Sequence, residues 1–490
     1  MSKFFKAKSF VAILISSLVL AACGGGSPAT EAPPAATEAP TEAVAAATEP
    51  PAPAGPTFTL LGTINRDATQ AAQSPFLTLD NTNGLLAVWS ENSSGGVRQI
   101  FASKVGGDTP QPLGASINIH TNVVADSPSI TVAGENNAVP WVAWSEPSPG
   151  FGDVSQVFAS RFSAETGLWQ QAGQDRGGGE ASLNIATDRA ATHPFIFSGS
   201  TEVGSPPVPW VTWEEVSDVN PSSVQIFVSK GVKDDTAIGG FRWETVGQVK
   251  EDGEQTLNVN RFRISAHPTG VFAETADSVP WVTWHEVGRD EPSRIFTARG
   301  VADPNSPGGF KWINVPACDP NNETTCTLNI NPLNDAKDAS MAAGSTVAGE
   351  STVPWLAWPE IGSNGKWQIF VSRLDTSTRN SFLQVGGSLN VDPNHDARTP
   401  IIVFVGNTPY VTWLEDDGTG KFEIQMRHLA SDPQTGTWSL DTPANGFNLD
   451  PTLSNFNLSA VASADTLFFA WGEGDPASSA SQMVVASFKP

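Results

Sequence analysis

Two short hydrophobic patterns recur together along residues 57–490. The first is "VPWVTWEE" at 208–215, which returns as "VPWVTWHE" at 279–286, and every copy ends in Trp-x-Glu. The second has the form "QIFVSKG", as at 225–231, and follows each copy, in weaker form after the last two. Both patterns alternate and are rich in Val, Ile, Phe and Trp, which is typical of β-strands. The patterns therefore predict pairs of consecutive strands.

Trp-x-Glu occurs seven times, at spacings of 55 to 74 residues. A further apolar run precedes each copy and another follows each second pattern, so each repeat has four predicted strands. Four-stranded repeats in series, none able to bury both of its faces alone, indicate a β-propeller. We therefore predict an all-β fold, a seven-bladed β-propeller with four-stranded antiparallel blades over residues 57–490. The glutamates of the seven copies are Glu91, Glu146, Glu215, Glu286, Glu360, Glu415 and Glu473.

The two ends of the repeat region complement each other. The last repeat, 458–490, contains only three predicted strands, and "TFTLLG" at 57–62 resembles the missing fourth. The sequence after it, "GTINRDATQAAQSP" from Gly62, matches "GSLNVDPNHDARTP" from Gly387. The N-terminal strand is therefore expected to complete the last blade, which resembles the closure of many propellers and removes an open sheet edge.

The same alignment identifies one asparagine in each connection between repeats. Six of the seven have Ser or Thr two residues earlier, and Gly446 is the exception. In one interpretation the seven glutamates face a central funnel and gather cations or sugars. In the other, each glutamate accepts hydrogen bonds from the backbone of the neighbouring Asn turn; we favour this because alternation puts Glu215 on the side of Trp213, between blades. The asparagines are Asn65, Asn118, Asn184, Asn258, Asn329, Asn390 and Asn448.

Binding or catalysis is expected where the repeats differ. Near the start of the first strands, charged residues are predicted to lie close to the axis. Such groups could hold an anionic ligand or perform acid–base chemistry, and the alternative is that they are solvated loop charges. These candidates are Asp188, Arg189 and His193 in the third repeat, Arg261, Arg263 and His267 in the fourth, and Asp396 and Arg398 in the sixth.

The N-terminus has the features of an export signal. Three lysines precede an apolar run, Phe10 to Ala22, that is short for a bilayer span. The run ends in Leu-Ala-Ala-Cys23, which resembles the lipobox of bacterial lipoproteins and implies lipidation of Cys23; an ordinary secretory signal is the alternative. We expect 1–22 to be a signal peptide and 23–56, rich in Pro, Ala, Thr and Glu, to be a disordered stalk. The lipid would anchor the chain to the outer face of a bacterial membrane.

Charge and cysteine content narrow the possible partners. The net charge of −24 argues against nucleic acid and anionic membrane surfaces as partners. Besides Cys23, the chain has only Cys318 and Cys326, which are predicted to form a disulfide in an oxidising compartment; free thiols are the alternative. No His/Cys cluster has metal-ligand spacing, so neither a metal nor a cofactor is expected.

The strand pattern resembles that of sialidase-like, Asp-box propellers. "SAETGLW" at 163–169 and "SDPQTGTW" at 431–438 look like degenerate Asp boxes. The resemblance implies a catalytic tyrosine, but the single tyrosine, Tyr410, occupies the position of Trp210 and Trp281, which argues against sialidase activity. We expect a monomeric binding module for glycans or a protein partner, with an extracellular carbohydrate-active enzyme and a structural envelope protein as the alternatives.

Overall fold

The computed structural model describes residues 55–106, 109–134, 139–247, 257–259, 262–319, 322–443, 446–475 and 481–490. The predicted signal peptide, the lipobox Cys23 and nearly all of the predicted stalk lie outside these residues. Within the described ranges the fold is all-β, with no α-helix and with short 3-10 turns at Pro149–Phe151, Pro307–Gly309 and Glu323–Thr325. None of the helical turns in these ranges has the length or apolar character needed to span a membrane.

The described residues form 28 strands. The first half of the chain contains β1 (Thr57–Thr63), β2 (Ala72–Leu79), β3 (Leu85–Asn92), β4 (Arg98–Val105), β5 (Gln111–Pro112), β6 (Asp126–Ala133), β7 (Val139–Ser148), β8 (Val154–Ser163), β9 (Leu168–Gln171), β10 (Ala191–Gly199), β11 (Val208–Val216), β12 (Val224–Lys233) and β13 (Phe241–Thr245). The second half contains β14 (Ile264–Ala273), β15 (Val279–Val287), β16 (Arg294–Ala302), β17 (Phe310–Asn314), β18 (Ser340–Gly344), β19 (Val353–Ile361), β20 (Trp367–Leu374), β21 (Phe382–Gln384), β22 (Ala397–Val405), β23 (Thr408–Asp416), β24 (Phe422–Leu429), β25 (Trp438–Leu440), β26 (Asn455–Ala462), β27 (Leu467–Glu473) and β28 (Gln482–Lys489).

Consecutive strands pair antiparallel in groups of four, as the sequence repeats predict. Four of these groups, β2–β5, β6–β9, β18–β21 and β22–β25, are separate four-stranded sheets. The groups β10–β13 and β14–β17 are joined into one eight-stranded sheet by a single parallel pairing of Val224 with Ile264. Each group thus remains a simple antiparallel meander.

The remaining sheet contains both ends of the described chain. Its order is β1-β28-β27-β26, and β1 pairs antiparallel with β28, with Thr57 opposite Lys489 and Thr63 opposite Val484. The segment "TFTLLG" therefore supplies the fourth strand of this sheet, as the alignment of the two ends predicts.

The first strands of successive groups lie against one another. Strand β2 contacts β6, and the contacts continue through β10, β14, β18 and β22 to β26, which in turn contacts β2. Between neighbouring groups the sheets bury their Trp-x-Glu tryptophans; Trp89, for example, shares a core cluster with Ala470 and Val485 of the last sheet. A buried Trp removes roughly 150–250 Å² from water, so the many tryptophans are mainly packing between sheets.

The repeated glutamates and asparagines lie at these junctions. Glu360 accepts hydrogen bonds from the backbone N–H groups of Ile330 and Asn331, both at 2.7 Å, and from the indole of Trp358 at 3.0 Å. Asn329 accepts the backbone N–H of Ile295 at 2.9 Å, in the preceding group. Each of the other six glutamates likewise accepts at least one backbone N–H from the turn before its own group.

The asparagine contact also repeats, with one exception. In six turns the Asn Oδ1 accepts a backbone N–H from the third strand of the preceding group. Asn448, in the turn where Gly446 replaces Ser or Thr, contacts Asn455 and the carbonyl of Leu453. The Asn turn is thus fixed to one group by its carboxamide and to the next by a glutamate, which joins neighbouring groups.

The predicted disulfide and the single tyrosine both lie in the described part of the chain. Cys318 and Cys326 are joined by a disulfide. Tyr410 is 4% exposed, and burial, together with the carboxylate of Asp441, raises its pKa to about 12. Tyr410 is therefore a protonated packing residue at neutral pH.

Candidate functional site

One residue near the start of each first strand has an unusual backbone conformation. In six of the seven first strands it lies in a β-bulge, and in the fifth group it lies two residues before the start of β18. Its φ is between 47° and 54°, a left-handed conformation that is uncommon outside glycine. Bulges redirect side chains, so this position suits a functional group. The seven bulge residues are Ser74, Ser127, His193, His267, Asp338, Thr399 and Asn457.

A cavity of about 420 Å³ lies among the first strands. Its lining includes the residues two positions after six of the seven bulge residues, which places those bulge residues just beyond one end of the lining. Most of the other lining residues are apolar, such as Val271, Met341 and Val403. The size is within the range of small-molecule pockets, about 300–1,000 Å³. The cavity is thus largely apolar along its walls and polar at one mouth.

Three consecutive bulge residues carry chemistry-bearing side chains that lie side by side. The ring centroids of His193 and His267 are 4.9 Å apart, and His267 Nδ1 is 2.6 Å from Asp338 Oδ1. Glu214 Oε2 lies 3.1 Å from His193 Nδ1, and the ring centroid of His285 lies 5.6 Å from that of His267. We call these five residues, His193, Glu214, His267, His285 and Asp338, the mouth cluster.

Glu214 and His285 come from second strands, where each is the middle residue of Trp-x-Glu. Strand alternation points them away from the junction glutamates, and both are buried, with 7% and 6% exposure. Glu214 Oε1 accepts the backbone N–H of His267 at 2.7 Å. The Nδ1 atom of His285 accepts the backbone N–H of Asp338 at 3.3 Å. Each second-strand residue thus holds the bulge residue of the following group in place.

Burial and neighbouring charges set the protonation of the cluster. Burial, with a smaller contribution from nearby His267, lowers the pKa of His285 to about 4 despite the carboxylates of Asp338 and Glu214. Burial also lowers the pKa of His267, but the contact with Asp338 and the charges of Asp338 and Glu214 outweigh it and raise this pKa. Although burial alone would raise the pKa of Asp338, the two histidines hold it below its usual value. At neutral pH His285 is a neutral imidazole beside ionised Asp338.

The cluster is open to solvent on one side. The side chains of His193 and His267 are 46% and 48% exposed, and that of Asp338 is 33% exposed. The buried members form its floor and the exposed members its entrance. A ligand can therefore reach the imidazoles without a rearrangement of the sheets.

Of the eight residues predicted from the sequence to line the funnel, the structure places His193 and His267 in the mouth cluster. The others that it describes lie elsewhere, and Arg261 lies outside the described residues. Asp188 is exposed to solvent. Arg189 lies 3.3 Å from Glu215, and Arg263 forms an ion pair with Glu291. Asp396 accepts the backbone N–H of Trp367 and lies 3.1 Å from Lys366, and the guanidinium of Arg398 lies 3.6 Å from the centroid of the Phe422 ring.

Glu214, His285 and Asp338 were not predicted from the sequence. A signal for them exists in the repeats: the middle residue of Trp-x-Glu is ionisable only in the third and fourth copies. Asp338 in "AKDAS" aligns with the histidines of "ATHPF" and "SAHPT". A search for metal-ligand spacing cannot find this cluster because its members come from three different repeats.

Comparisons with known proteins give distant similarities. The sequence matches no protein-family model and no curated protein. Among solved structures, a protein of unknown function from Dyadobacter fermentans is 11% identical with a TM-score of 0.44, covering 89% of this chain and 99% of that one. A Trypanosoma rangeli sialidase in complex with the inhibitor DANA is 8% identical with a TM-score of 0.45, covering 78% of this chain and 60% of that one. An α-L-arabinanase of Penicillium chrysogenum complexed with arabinobiose is 13% identical with a TM-score of 0.41, covering 88% and 98%. These similarities carry no conclusion about ligand or activity.

Proposed function

We propose that residues 57–490 form a seven-bladed β-propeller that binds a small glycan in its central cavity. The architecture is supported by the seven groups of four strands and by the contacts that run from each first strand to the next and return from β26 to β2. Where β26 meets β2, the backbone N–H of Ser74 also donates to Asn457 Oδ1 at 3.5 Å, which supports the contact between the last and the first of these strands.

The observation that carries the ligand assignment is the polar mouth on an apolar cavity. Carboxylates and imidazoles exchange hydrogen bonds with hydroxyl groups, and the mouth cluster supplies both types. The walls supply apolar surface, including the rings of Phe76 and Phe195, whose centroids are 5.5 Å apart. A sugar has hydroxyl edges and an apolar C–H face, and a cavity of about 420 Å³ has room for a mono- or disaccharide unit.

A glycan array tests this proposal with the full chain and a cavity-filling variant. Thr269 lines the cavity, so Thr269→Phe should abolish glycan binding by occupying the space. The matched control Thr166→Phe adds the same ring at an exposed turn and should bind as the wild type does. Melting curves should show that both variants are folded. Absence of any glycan binding, or binding that survives Thr269→Phe in a folded protein, contradicts the proposal. If the protein hydrolyses chromogenic glycosides, the proposed binding role would have to be replaced by a catalytic one.

We further propose that the protein is displayed outside the cell by a lipid at Cys23. The lipobox-like Leu-Ala-Ala-Cys23 after a short apolar run supports this location. The full chain expressed in bacteria should partition with the membrane fraction and carry the mass of the lipid. Cys23→Ser should release it into the soluble exported fraction, whereas Cys318→Ser, which breaks the disulfide, should leave partitioning unchanged. A Cys23→Ser chain that stays in the membrane contradicts the anchor.

A further inference from the structure

We propose that the mouth cluster binds one divalent transition-metal ion, with His267 as the central ligand. The inference deepens the proposed function by assigning an ion to the mouth of the same cavity. It concerns only the side chains of the cluster, and its test needs no glycan.

The geometry groups the five side chains into two overlapping triads. His193, Glu214 and His267 have potential ligand atoms within 4.8 Å of one another, and so do His267, His285 and Asp338. Each triad consists of two imidazoles and one carboxylate. Both triads need His267, so the cluster can hold one ion at a time, on one side of His267 or the other.

The chemistry of the donor set selects the class of ion. Imidazole nitrogens suit Zn²⁺, Cu²⁺, Ni²⁺ and Fe²⁺, and a set of two histidines and one carboxylate leaves coordination positions open for water or a ligand. Ca²⁺ and Mg²⁺ prefer shells made of oxygen atoms, and each triad offers only one carboxylate. The cluster therefore favours a transition metal of the zinc type.

One carboxylate oxygen faces both imidazoles of its triad. Asp338 Oδ1 is buried and lies 2.6 Å from His267 Nδ1 and 3.7 Å from His285 Nδ1. The ammonium of Lys337 lies 4.0 Å from the other oxygen, Oδ2, and 4.9 Å from the centroid of the Trp367 ring. A cation beside His267 would be a further partner for Oδ1.

One ligand is held before any ion binds, because Glu214 Oε1 accepts the backbone N–H of His267. A hydrogen bond that orients a ligating side chain raises metal affinity. The Nδ1 atom of His285 uses its lone pair to accept the backbone N–H of Asp338, so His285 can bind an ion only if that hydrogen bond is broken. Glu214 thus supplies a rigid donor, and the half-exposed imidazoles of His193 and His267 supply donors that an ion can reach from solvent.

Calorimetric titration of the full chain with Zn²⁺ tests the proposal. The protein is purified with a tag free of histidine and treated with a chelator before titration. We expect one Zn²⁺ per chain and no comparable binding of Ca²⁺. His267→Asn should weaken Zn²⁺ binding by at least about 100-fold, since loss of a residue that only orients a metal ligand already costs about 10- to 100-fold. Asn is chosen because it adopts positive φ readily, which keeps the bulge intact.

Two control variants make the test specific. Thr399→Asn changes the equivalent bulge position of the sixth repeat, and His120→Asn changes a histidine that lies 3.2 Å from Glu146 and 3.4 Å from Glu180. Both should bind Zn²⁺ as the wild type does, and melting curves of the ion-free variants should match the wild type. Loss of binding in His193→Asn then assigns the ion to the triad with Glu214, and loss in His285→Asn assigns it to the triad with Asp338.

Several outcomes would overturn the proposal. They are no Zn²⁺ binding by the wild type, binding that His267→Asn leaves unchanged, and binding that is lost in His120→Asn instead. A chain that binds glycans but not Zn²⁺ refutes the metal site and leaves the proposed function standing. A chain that binds Zn²⁺ at His267 but no glycan refutes the proposed function and leaves the metal site standing.

Discussion

At the scale of single residues, alternation within Trp-x-Glu separates packing from chemistry. In the third copy, Trp213 and Glu215 lie on one side of the strand, where the indole donates to the carboxylate at 3.1 Å. Glu214 lies on the opposite side and contacts His193 and the backbone of His267. The outer two positions repeat because every junction needs them. The middle position is not required for the junction, so it can differ between repeats and can carry a functional group.

The junction glutamates should be important for stability. Glu360→Ala removes the acceptor of three N–H groups, those of Ile330, Asn331 and the Trp358 indole. An unpaired buried donor costs about 1–3 kcal/mol. With the low value of about 1 kcal/mol for each of the three donors, we expect the free energy of unfolding to fall by about 3 kcal/mol. Urea unfolding measures the change. The control Glu165→Ala, at an exposed turn, should change it by less than about 0.5 kcal/mol. Equal effects of the two substitutions would show that the junction bonds contribute nothing.

The same glutamates should make stability depend on pH. Burial raises the pKa of Glu360 above its ordinary value of 4.5, although the hydrogen bonds from Asn331, Trp358 and Ile330 oppose it. The folded protein then binds the proton more tightly than the unfolded chain does. The stability that Glu360 contributes is therefore complete below about pH 4.5 and declines as the pH rises through the folded pKa. The deficit of Glu360→Ala should be larger at pH 4.5 than at pH 8. A deficit that grows with pH would reverse the assigned direction of the pKa.

At the scale of elements, the first strands approach one another so closely that glycine is required at some contacts. Gly344, the last residue of β18, faces the ring of Phe404 on β22, and Gly199 of β10 faces Phe272 of β14 in the same way. A Cβ atom at either glycine would overlap the neighbouring ring. These contacts fix the distance between adjacent first strands and hence the width of the cavity between them.

Gly344→Ala should therefore destabilise the fold. The added methyl group displaces Phe404, and we expect a loss of about 1–3 kcal/mol, as for overpacking of other cores. Gly387→Ala is the matched control, since a Cβ there has nothing within 4 Å and its φ is not in the left-handed range. Thermal unfolding of both variants measures the difference. If Gly344→Ala melts like Gly387→Ala, the first strands are not closely packed at this point.

The elements could be predicted from the sequence, but of the site only His193 and His267 could. Alternation in "VPWVTWEE" and "QIFVSKG" identifies strands because equivalent positions in every four-stranded group must bury the same residues, and the match of Gly62 with Gly387 identifies the pairing of β1 with β28. The mouth cluster depends on the positive φ of His193, His267 and Asp338, the first two of which lie in β-bulges. Alternation fails at a bulge, so a period of two cannot say where those side chains point. The direction of the Arg398 side chain was unpredictable for the same reason. Arg398 lies beside the bulge residue Thr399, and the sequence gave no indication of its contact with Phe422.

At the scale of the whole molecule, the fold depends on the contact between its two ends. Among the strand pairs of the described residues, the pairing of β1 with β28 is the one that joins the start of the described chain to its C-terminal strands, and the backbone hydrogen bonds from Ile64 to Met483 and from Ala72 to Ser481 extend it. In the proposed propeller, this pairing completes the last blade. Separation of β1 would expose the edge of β28 and open the contact of β26 with β2.

An engineered disulfide between the two strands tests this role. Thr59 lies directly opposite Ser487, so Thr59→Cys with Ser487→Cys places two thiols on paired residues. Because the bond would close a loop of nearly the whole described chain, the chain-entropy model gives a gain of about 6 kcal/mol in the free energy of unfolding, less any strain. Urea unfolding under oxidising conditions should show this gain, and a reductant should remove it. Thr59→Cys alone is the control and should unfold like the wild type. If the oxidised double variant forms its bond and yet unfolds at the wild-type urea concentration, β1 separates from β28 without cost, and the ends of the chain do not hold the molecule closed.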